Sequence, residues 1–500
     1  MQRIRVATLY TDLADSIREL SRSADGVKRS RAIVESALLD GEAYYGINTG
    51  FGALAGKRVE PGLLATLQRN LLLSHAVGLG DPVPKSIARL MLQLKAHALG
   101  LGYSGVSNET FDRLLLFVRE DMIPVIPSRG SVGASGDLAP LAHMSLPLIG
   151  LGSFWDGDGK GSVPASDVLR AHGLSPIVLQ PKDGLSLING TQLMAAYCAW
   201  ALHRALRLAC LADVASAMSL EALQGSIKPF DERIHAIRPH PGQRVVASNV
   251  RTLLGESEIL ESHRNCGKVQ DPYSLRCVPQ VHGASRDALA YAVDVVETEM
   301  NSVTDNPLVF EDGSIISGGN FHGQPLALAA DFAAIALAEL GSISERRTFL
   351  LLAGHDGLPN LLMTETGINS GFMIPQYTAA ALVSENKVLC HPASVDSIPT
   401  SQGQEDHVSM GSVSALKLAQ VLQNVESVLA IEVITAAQAL DYRKPLKPGR
   451  GVALAHDIIR AVIPHRESDY LFQEDLLPAL ELVRSGGVVD GLAHTGIALA

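Results

Sequence analysis

Three long stretches of the chain are predominantly apolar and contain neither glycine nor proline: residues 191–224, 284–306 and 412–444. Each is rich in alanine and leucine and has few turn-forming residues, a pattern that predicts a long α-helix. A fourth apolar helix is predicted over residues 326–340, directly after Pro325. At a rise of about 1.5 Å per residue, the first and third helices would each be roughly 50 Å long.

Helices of this length with apolar residues on most sides must bury more than one face. A single subunit would cover such surfaces poorly, whereas a central bundle shared between subunits would cover them well. The pattern therefore predicts a homo-oligomer.

Glycine and proline punctuate the first 190 residues much more evenly than the rest of the chain. We therefore expect an N-terminal domain over residues 1–190, and a central long-helix bundle with a C-terminal helical part over residues 191–500. Polar, glycine-rich connectors lie between the long helices, and loops held by a rigid scaffold are common places for catalytic groups. The glycine-rich segment 150–162 is predicted to be a hairpin turn. A calcium loop is excluded, because the third acidic ligand and the terminal glutamate of that motif are missing.

Composition and charge narrow the functional class. Hydrophobic residues make up 47% of the chain, which is enough for a large core. The formal net charge of −11 argues against nucleic acid or an anionic membrane as a partner. The five cysteines are scattered without a C-x-x-C pair, so neither a zinc site nor a disulfide framework is indicated. The N-terminus has no apolar signal region, and we find no uninterrupted apolar run of membrane-spanning length. We therefore expect a cytoplasmic protein with reduced thiols.

Residues 133–137 read Gly-Ala-Ser-Gly-Asp and form the most unusual segment of the sequence. A serine-hydrolase elbow would need glycine where Asp137 stands, and a phosphate-binding loop would need a Gly-Lys-Ser/Thr sequence. Taken alone, the segment would most simply be a turn at the entry to a helix.

The surrounding sequence changes this interpretation. Residues 130–144, GSVGASGDLAPLAHM, resemble the signature of the ammonia-lyase family that acts on histidine, phenylalanine or tyrosine. The resemblance continues from about Tyr44 to the C-terminal helices as separate blocks in family order: YYGINTGFG, LSHAVG, LINGTQ, NCGKVQDPYSLRC, TDNPLVF, SGGNFHG, NSGFMIPQ and SQGQEDHVSM.

The resemblance implies a mainly α fold, an elongated long-helix bundle of the fumarase/aspartase-like superfamily, with a smaller N-terminal region that carries the cofactor loop. It also implies a tetramer whose active sites draw residues from more than one chain. The cofactor would be 4-methylideneimidazole-5-one (MIO), formed autocatalytically from Ala134, Ser135 and Gly136, with no diffusible cofactor and no metal. Small side chains and the conformational freedom of glycine suit the attack of the Gly136 nitrogen on the Ala134 carbonyl, and loss of the Ser135 hydroxyl would leave an electrophilic methylene.

The resemblance also assigns a base and a carboxylate-binding residue. Tyr45 would remove the substrate's β-proton, although a phenol titrates near pH 10 in water and needs cationic or hydrogen-bonding neighbours to act lower. The alternative is that Tyr44 is the base and Tyr45 only packs. Arg276 would hold the substrate carboxylate, since a guanidinium offers two parallel donors; an inter-subunit salt bridge is the alternative.

Further residues would complete the site. Tyr273 and Gln270 would extend the wall beside Arg276, Asn189 would hydrogen-bond the cofactor or the amino group, and Phe321 would pack against the ring or the substrate. The structural alternative for these residues is that they only hold their loops.

Substrate choice depends on His75 and Glu405. Family members that act on histidine resemble this chain in both blocks, and buried imidazole nitrogens require hydrogen-bond partners. Met373 would form part of the ring-binding wall. Alternatively, Glu405 belongs to a carboxylate network with Asp406 and His407.

The expected reaction is therefore conversion of L-histidine to trans-urocanate and ammonia. A phenylalanine or tyrosine ammonia-lyase, or an aminomutase, remains open within the family. A fumarase-like lyase without a cyclised cofactor and an inactive structural oligomer are the alternatives from other classes.

Overall fold

The computed structural model describes residues 3–40, 42–50, 57–265 and 267–500, and these residues are mainly helical. The helices of the first 190 residues are α1 Leu9–Arg22, α2 Asp25–Ala37, α3 Leu64–His75, α4 Lys85–Gly100, α5 Asn108–Arg119, α6 Leu138–Ser145, α7 Ala165–Ala171 and α8 Asp183–Ile188. The later helices are α9 Gln192–Ala222, α10 Glu232–Ala236, α11 Pro241–Leu253, α12 Glu258–Ser262, α13 Tyr273–Arg276, α14 Val278–Met300, α15 Gln324–Leu351, α16 Met373–Leu389, α17 Gly411–Asp441, α18 Arg450–Arg460, α19 Gln473–Ser485 and α20 Gly487–His494.

Short strands form three antiparallel pairs. They are β1 Leu79–Pro82 with β2 Pro127–Arg129, β3 Ser153–Trp155 with β4 Ser162–Pro164, and β5 Leu308–Val309 with β6 Ile315–Ile316. The β3–β4 pair encloses the glycine-rich turn, with Ser153 opposite Pro164. The hairpin predicted over residues 150–162 is therefore confirmed.

The predicted long helices are present as α9, α14, α15 and α17, and two of them differ from the predicted bounds by more than three residues at one end or both. Helix α14 begins six residues earlier, at Val278, and continues through Gly283. A Cβ atom on Gly283 would lie 2.4 Å from the backbone nitrogen of Gln243, so this glycine permits a close backbone approach and does not end the helix. Helix α15 likewise runs through Gly341 to Leu351.

Helices α15 and α17 are long and apolar enough, by length and composition alone, to cross a membrane. Neither helix contains an uninterrupted apolar run of membrane-spanning length, because charged residues such as Asp331 and Glu426 lie within them. In α15, 67% of the apolar window is buried within the protein, and in α17 the value is 78%. Such burial is typical of core helices.

The chain forms two compact units. Unit 1 comprises Met1–Trp200, Val293–Asp331 and Pro392–Leu416, and unit 2 comprises Ala201–Ala292, Phe332–His391 and Lys417–Ala500. The division falls inside the four long helices, whereas the sequence analysis placed a domain boundary at residue 190. That boundary stays a prediction.

Candidate active site

The Ala134–Ser135–Gly136 segment, which we call the cofactor loop, lies in unit 1 just before α6 and has an unusual backbone. Ser135 has a φ of 49° and Gly136 a φ of 77°, and the left-handed region is costly for a residue with a side chain. A Cβ atom on Gly136 would lie 2.0 Å from the carbonyl oxygen of Gly190. Only glycine fits at position 136.

The backbone of Gly190 pairs with the loop from one side. The Asp137 nitrogen donates to the Gly190 oxygen at 2.7 Å, and the Gly190 nitrogen donates to the Ser135 oxygen at 3.3 Å. The Asp137 carboxylate in turn accepts from the backbone nitrogens of Leu193 and Met194, at 2.9 and 3.0 Å, in the first turn of α9. These bonds fix the C-terminal end of the loop to the start of a long helix.

The segment that leads into α17 contacts the loop from a second side. The Ser412 hydroxyl donates to the other oxygen of the Asp137 carboxylate at 2.9 Å, and the Met410 nitrogen donates to the Val132 oxygen at 2.9 Å. Ala134 is buried against Met410. Burial raises the pKa of Asp137 to about 6, although its hydrogen-bond donors oppose this shift. The loop is held on both sides by bonds within unit 1.

Glu405 lies next to the loop. Its carboxylate accepts from the Ser135 hydroxyl at 3.4 Å and from the Thr400 hydroxyl at 2.6 Å. Within the described residues, neither Asp406 nor His407 is a hydrogen-bond partner of this carboxylate. The geometry therefore favours a place beside the cofactor loop over the alternative carboxylate network.

His75 is the last residue of α3, and the charge of Glu405 acts on its ring. Its Nδ1 atom lies 2.8 Å from the Leu71 oxygen, a bond that requires Nδ1 to carry the proton and leaves Nε2 as an acceptor. Burial lowers the pKa of His75, whereas the charge of Glu405 opposes that shift. The imidazole of His75 thus lies within the electrostatic reach of the Glu405 carboxylate.

Asn189 is only 2% exposed. Its side-chain nitrogen donates to the Asn306 oxygen at 2.8 Å, and its backbone oxygen accepts a hydrogen bond from the buried Lys95 side chain. The amide nitrogen of Asn189 is thus engaged in holding the protein's own backbone.

Phe321 is half-buried in the connector before α15.

Tyr45 is half-buried in unit 1, and Phe51 and Gly52 of its block lie outside the described residues. The neighbouring hydroxyl of Tyr44 donates to the Asp40 carboxylate at 2.6 Å. This hydrogen bond to a carboxylate is the main reason why the pKa of Tyr44 is raised. Tyr44 is therefore poorly suited to act as a base.

Four predicted site residues, namely Gln270, Tyr273, Arg276 and Met373, lie in unit 2, whereas the other eight lie in unit 1. Gln270 and Arg276 line a cavity of about 840 Å³ within unit 2. The Arg276 Nε atom donates to the Asp271 oxygen at 3.0 Å, and the guanidinium carbon lies 4.5 Å from the centre of the Tyr273 ring. Tyr273 itself is 70% exposed, and Met373 is the half-buried first residue of α16.

Three residues near the loop escaped the sequence analysis: Lys95, Ser412 and Thr400. A lysine with apolar neighbours on both sides, as in MLQLKAHAL, is a signal that could have indicated Lys95, because a buried lysine needs a specific partner. No comparable signal points to Ser412 or Thr400. Their hydroxyls matter only because folding brings them to Asp137 and Glu405.

Comparison with known proteins identifies the family of this chain. The chain belongs to the aromatic amino acid lyase family, whose family model matches residues 6–461. It is 55% identical over 471 residues to a histidine ammonia-lyase from Anaeromyxobacter sp. (strain K), covering 92% of this chain and 93% of that protein.

Solved structures agree with this assignment. A histidine ammonia-lyase from Trypanosoma cruzi matches with a TM-score of 0.88 and 43% identity, covering 95% of this chain and 89% of that one. A tyrosine aminomutase from Streptomyces globisporus matches with a TM-score of 0.90 and 34% identity, covering 99% and 97%. Because proteins named for different reactions share the backbone equally well, the fold does not select the substrate.

Proposed function

We propose that this enzyme removes ammonia from L-histidine to give trans-urocanate, using a cofactor formed from its own residues Ala134, Ser135 and Gly136. The observation that carries the proposal is the carboxylate of Glu405 beside the Ser135 hydroxyl, with the imidazole of His75 in its electrostatic reach. Polar groups at this position suit a substrate with a polar ring. The high identity to proteins named histidine ammonia-lyase supports the same substrate.

The loop fits the formation of 4-methylideneimidazole-5-one. Position 134 has a small side chain, position 135 has a hydroxyl to lose, and position 136 has room only for glycine. The bonds from Asp137 and Gly190 hold the loop in its left-handed conformation. Once formed, the ring would supply an electrophilic carbon for the substrate's amino group, a function that no encoded side chain provides.

Tyr45 is the base of this proposal and takes the proton from the substrate's β-carbon. Tyr44 is not the base of this proposal, because its hydroxyl donates to the Asp40 carboxylate. Proton removal by a phenol near neutral pH requires neighbours that favour the phenolate.

Arg276 binds that carboxylate. Its Nε atom is occupied by the Asp271 oxygen, whereas within the described residues its two terminal nitrogens have no hydrogen-bond partner. Two free donors on one planar group match the two oxygens of a carboxylate. Tyr273 stacks on the guanidinium and limits its orientation, and Gln270 lines the same cavity.

Glu405 and His75 recognise the imidazole ring of the substrate through polar contacts. Glu405 is oriented by Thr400 at 2.6 Å, so its second oxygen faces the loop. A carboxylate accepts a hydrogen bond from a ring N–H, and a phenyl ring has no such donor. Phe321 and Met373 make apolar contacts with the ring of the substrate or the cofactor. Asn189 holds the backbone next to the loop.

We further propose that the enzyme is a homotetramer in the cytoplasm, with active sites built from more than one chain. Helix α16 buries only Pro375, Ala379 and Asn386 of its 17 residues, although it is largely apolar. Among its exposed side chains, Tyr377 is 59% and Val388 is 68% exposed. Apolar helix surfaces of this kind are expected to be covered by other subunits.

The test of the proposed function is a comparison of kcat/KM for L-histidine, L-tyrosine and L-phenylalanine, measured by the near-UV absorbance of each conjugated product. We expect histidine to be strongly preferred, because a pocket built to hydrogen-bond a polar ring leaves its own groups unpaired around an apolar one. Preference for tyrosine or phenylalanine would overturn the substrate assignment but leave the family unchanged. Sedimentation of the active species tests the tetramer, and an active monomer would exclude it.

A further inference from the structure

Lys95 lies in the interior of α4 and is only 1% exposed. Its side-chain nitrogen donates to the backbone oxygen of Asn189. A buried lysine is stable only where its nitrogen has a partner, and burial lowers the pKa of Lys95 to about 7. The hydrogen bond joins α4 to a segment 94 residues later in the chain.

That segment directly contacts the cofactor loop. Gly190 follows Asn189 and pairs with the loop through the bonds to Ser135 and Asp137, at 3.3 and 2.7 Å. A Cβ atom on Gly136 would lie 2.0 Å from the Gly190 oxygen, so the two backbones are in close contact. A displacement of residues 189–190 would therefore displace Ser135 and Gly136.

Ring closure depends strongly on the position of these atoms. The Gly136 nitrogen forms a bond to the Ala134 carbonyl carbon, and the carbonyl oxygen leaves as water with the protons of the Gly136 and Ser135 nitrogens. A second water takes the Ser135 hydroxyl and the hydrogen on its α-carbon. The reaction needs no other reactant, so its rate depends on how closely the nitrogen is held to the carbonyl carbon.

We propose that Lys95 is a positioning residue for cofactor formation, which holds the Asn189–Gly190 backbone against the loop so that Ala134–Ser135–Gly136 can cyclise. This inference rests on the proposed function. Asn189 has a second anchor, the bond from its side chain to the Asn306 oxygen at 2.8 Å. That bond acts on the side chain, whereas Lys95 acts on the backbone next to Gly190.

The experiment follows the intact mass of the purified chain over time, since the mature chain is lighter by two waters. We expect Lys95→Met to fold and yet to lose the two waters about tenfold or more slowly than wild type. Lys95→Arg keeps a long cationic donor and should mature close to the wild-type rate. His97→Met is the matched control on the same helix, because the His97 ring is also buried but contacts the Ser16 hydroxyl.

Normal loss of two waters in folded Lys95→Met would overturn the inference, as would equal slowing in His97→Met. Circular dichroism establishes that each variant is folded. If Lys95→Met is unfolded, Lys95→Gln, which is too short to reach Asn189, decides by the same criterion. A wild-type chain that loses no water would instead refute the cofactor and with it both proposals.

Discussion

The cofactor loop in unit 1 and residues 268–276 in unit 2 carry two parts of the proposed chemistry and are built in opposite ways. Around the loop, Asp137 is fully buried and its carboxylate accepts from Leu193, Met194 and Ser412. In residues 268–276, Val269 is 95% and Tyr273 is 70% exposed. The Asp137 carboxylate of the loop region is fully hydrogen-bonded, whereas several side chains of residues 268–276 are exposed although Asp271 and Leu275 are buried.

This difference matches two different tasks. Cyclisation is a reaction within the backbone, so it needs a fixed geometry and no access for another molecule. Binding a substrate carboxylate needs donors that are not already paired, and within the described residues the terminal nitrogens of Arg276 have no hydrogen-bond partner. We therefore expect the loop to be complete within one chain, and the carboxylate-binding segment to act only after assembly.

Ser135→Ala tests the loop region and should have the largest effect. The variant has no hydroxyl to lose, so it cannot form the exocyclic methylene, and activity should fall by roughly three orders of magnitude or more. Folding and assembly should be normal, since within the described residues the Ser135 hydroxyl has one hydrogen-bond partner, Glu405 at 3.4 Å. Kinetic assays and intact mass measure both effects. Retention of a tenth of wild-type turnover would refute the cofactor.

Arg276→Ala tests the proposed carboxylate-binding segment, residues 268–276. Loss of two charge-assisted hydrogen bonds, each contributing about 1.5–3 kcal/mol, should reduce kcat/KM for histidine by roughly 10³-fold. Arg276→Lys should lie between this variant and wild type, because an ammonium cannot pair with both oxygens in the same plane. Intact mass should be that of the mature chain in both variants. A normal kcat/KM in Arg276→Ala would remove this residue from the site.

Co-expression of Tyr45→Phe chains with Arg276→Ala chains sharpens the same comparison. Tyr45 lies in unit 1 and Arg276 in unit 2, and each variant alone should be nearly inactive. If the two residues meet across subunits, mixed oligomers contain some sites with both native residues and regain part of the activity. Mixed oligomers without activity would mean that each site is built from one chain.

The sequence predicted the long helices because apolar stretches without glycine or proline are unambiguous. It placed the end of the fourth helix too early, since Gly341 lies inside α15. A glycine in a helix and a glycine in a turn look alike until the neighbouring helix is known. Helix bounds that depend on tertiary packing were therefore beyond the sequence.

At the candidate site, too, contacts that depend on tertiary packing could not be predicted from the sequence. Resemblance located the cofactor loop, but the bonds of Gly190 and Ser412 to that region depend on long-range folding. The left-handed conformation of Ser135 has no local sequence signal either, because serine rarely adopts it. The roles of the individual site residues, and the domain boundary at residue 190, stay predictions that the variants described here address.

Glu405→Gln should have a smaller effect than either preceding variant. The amide keeps the shape of the side chain but loses the charge, so histidine turnover should weaken by roughly 2–4 kcal/mol, or about 10²-fold near the middle of that range. His75→Leu should weaken it as well and admit aromatic substrates slightly. The readout is kcat/KM for histidine, tyrosine and phenylalanine. Unchanged histidine turnover in Glu405→Gln would refute the histidine assignment.

The last expected effect is on stability and not on activity, and it concerns the buried Lys95. Burial lowers the pKa of Lys95 from 10.5 to about 7; Lys182 adds to this shift, and the charges of Asp305 and Asp137 oppose it. Between about pH 7 and 10.5 the unfolded chain therefore holds a proton that the folded chain has released. The unfolded state binds more protons in that window, so this group makes folding more favourable as the pH rises, by at most about 1.4 kcal/mol per pH unit.

Lys95→Met removes this contribution. The melting temperature of wild type should therefore rise relative to that of the variant as the pH increases from about 7 towards 10.5. Lys28→Met is the matched control, because the Lys28 side chain is 63% exposed and its replacement should leave the wild-type pH dependence intact. Measurements of melting temperature across this window compare the three proteins directly. Parallel curves for wild type and Lys95→Met would mean that the buried amine keeps its proton throughout. Burial near the cofactor loop would then not shift the titration of Lys95, and this electrostatic difference from the exposed residues 268–276 would be refuted.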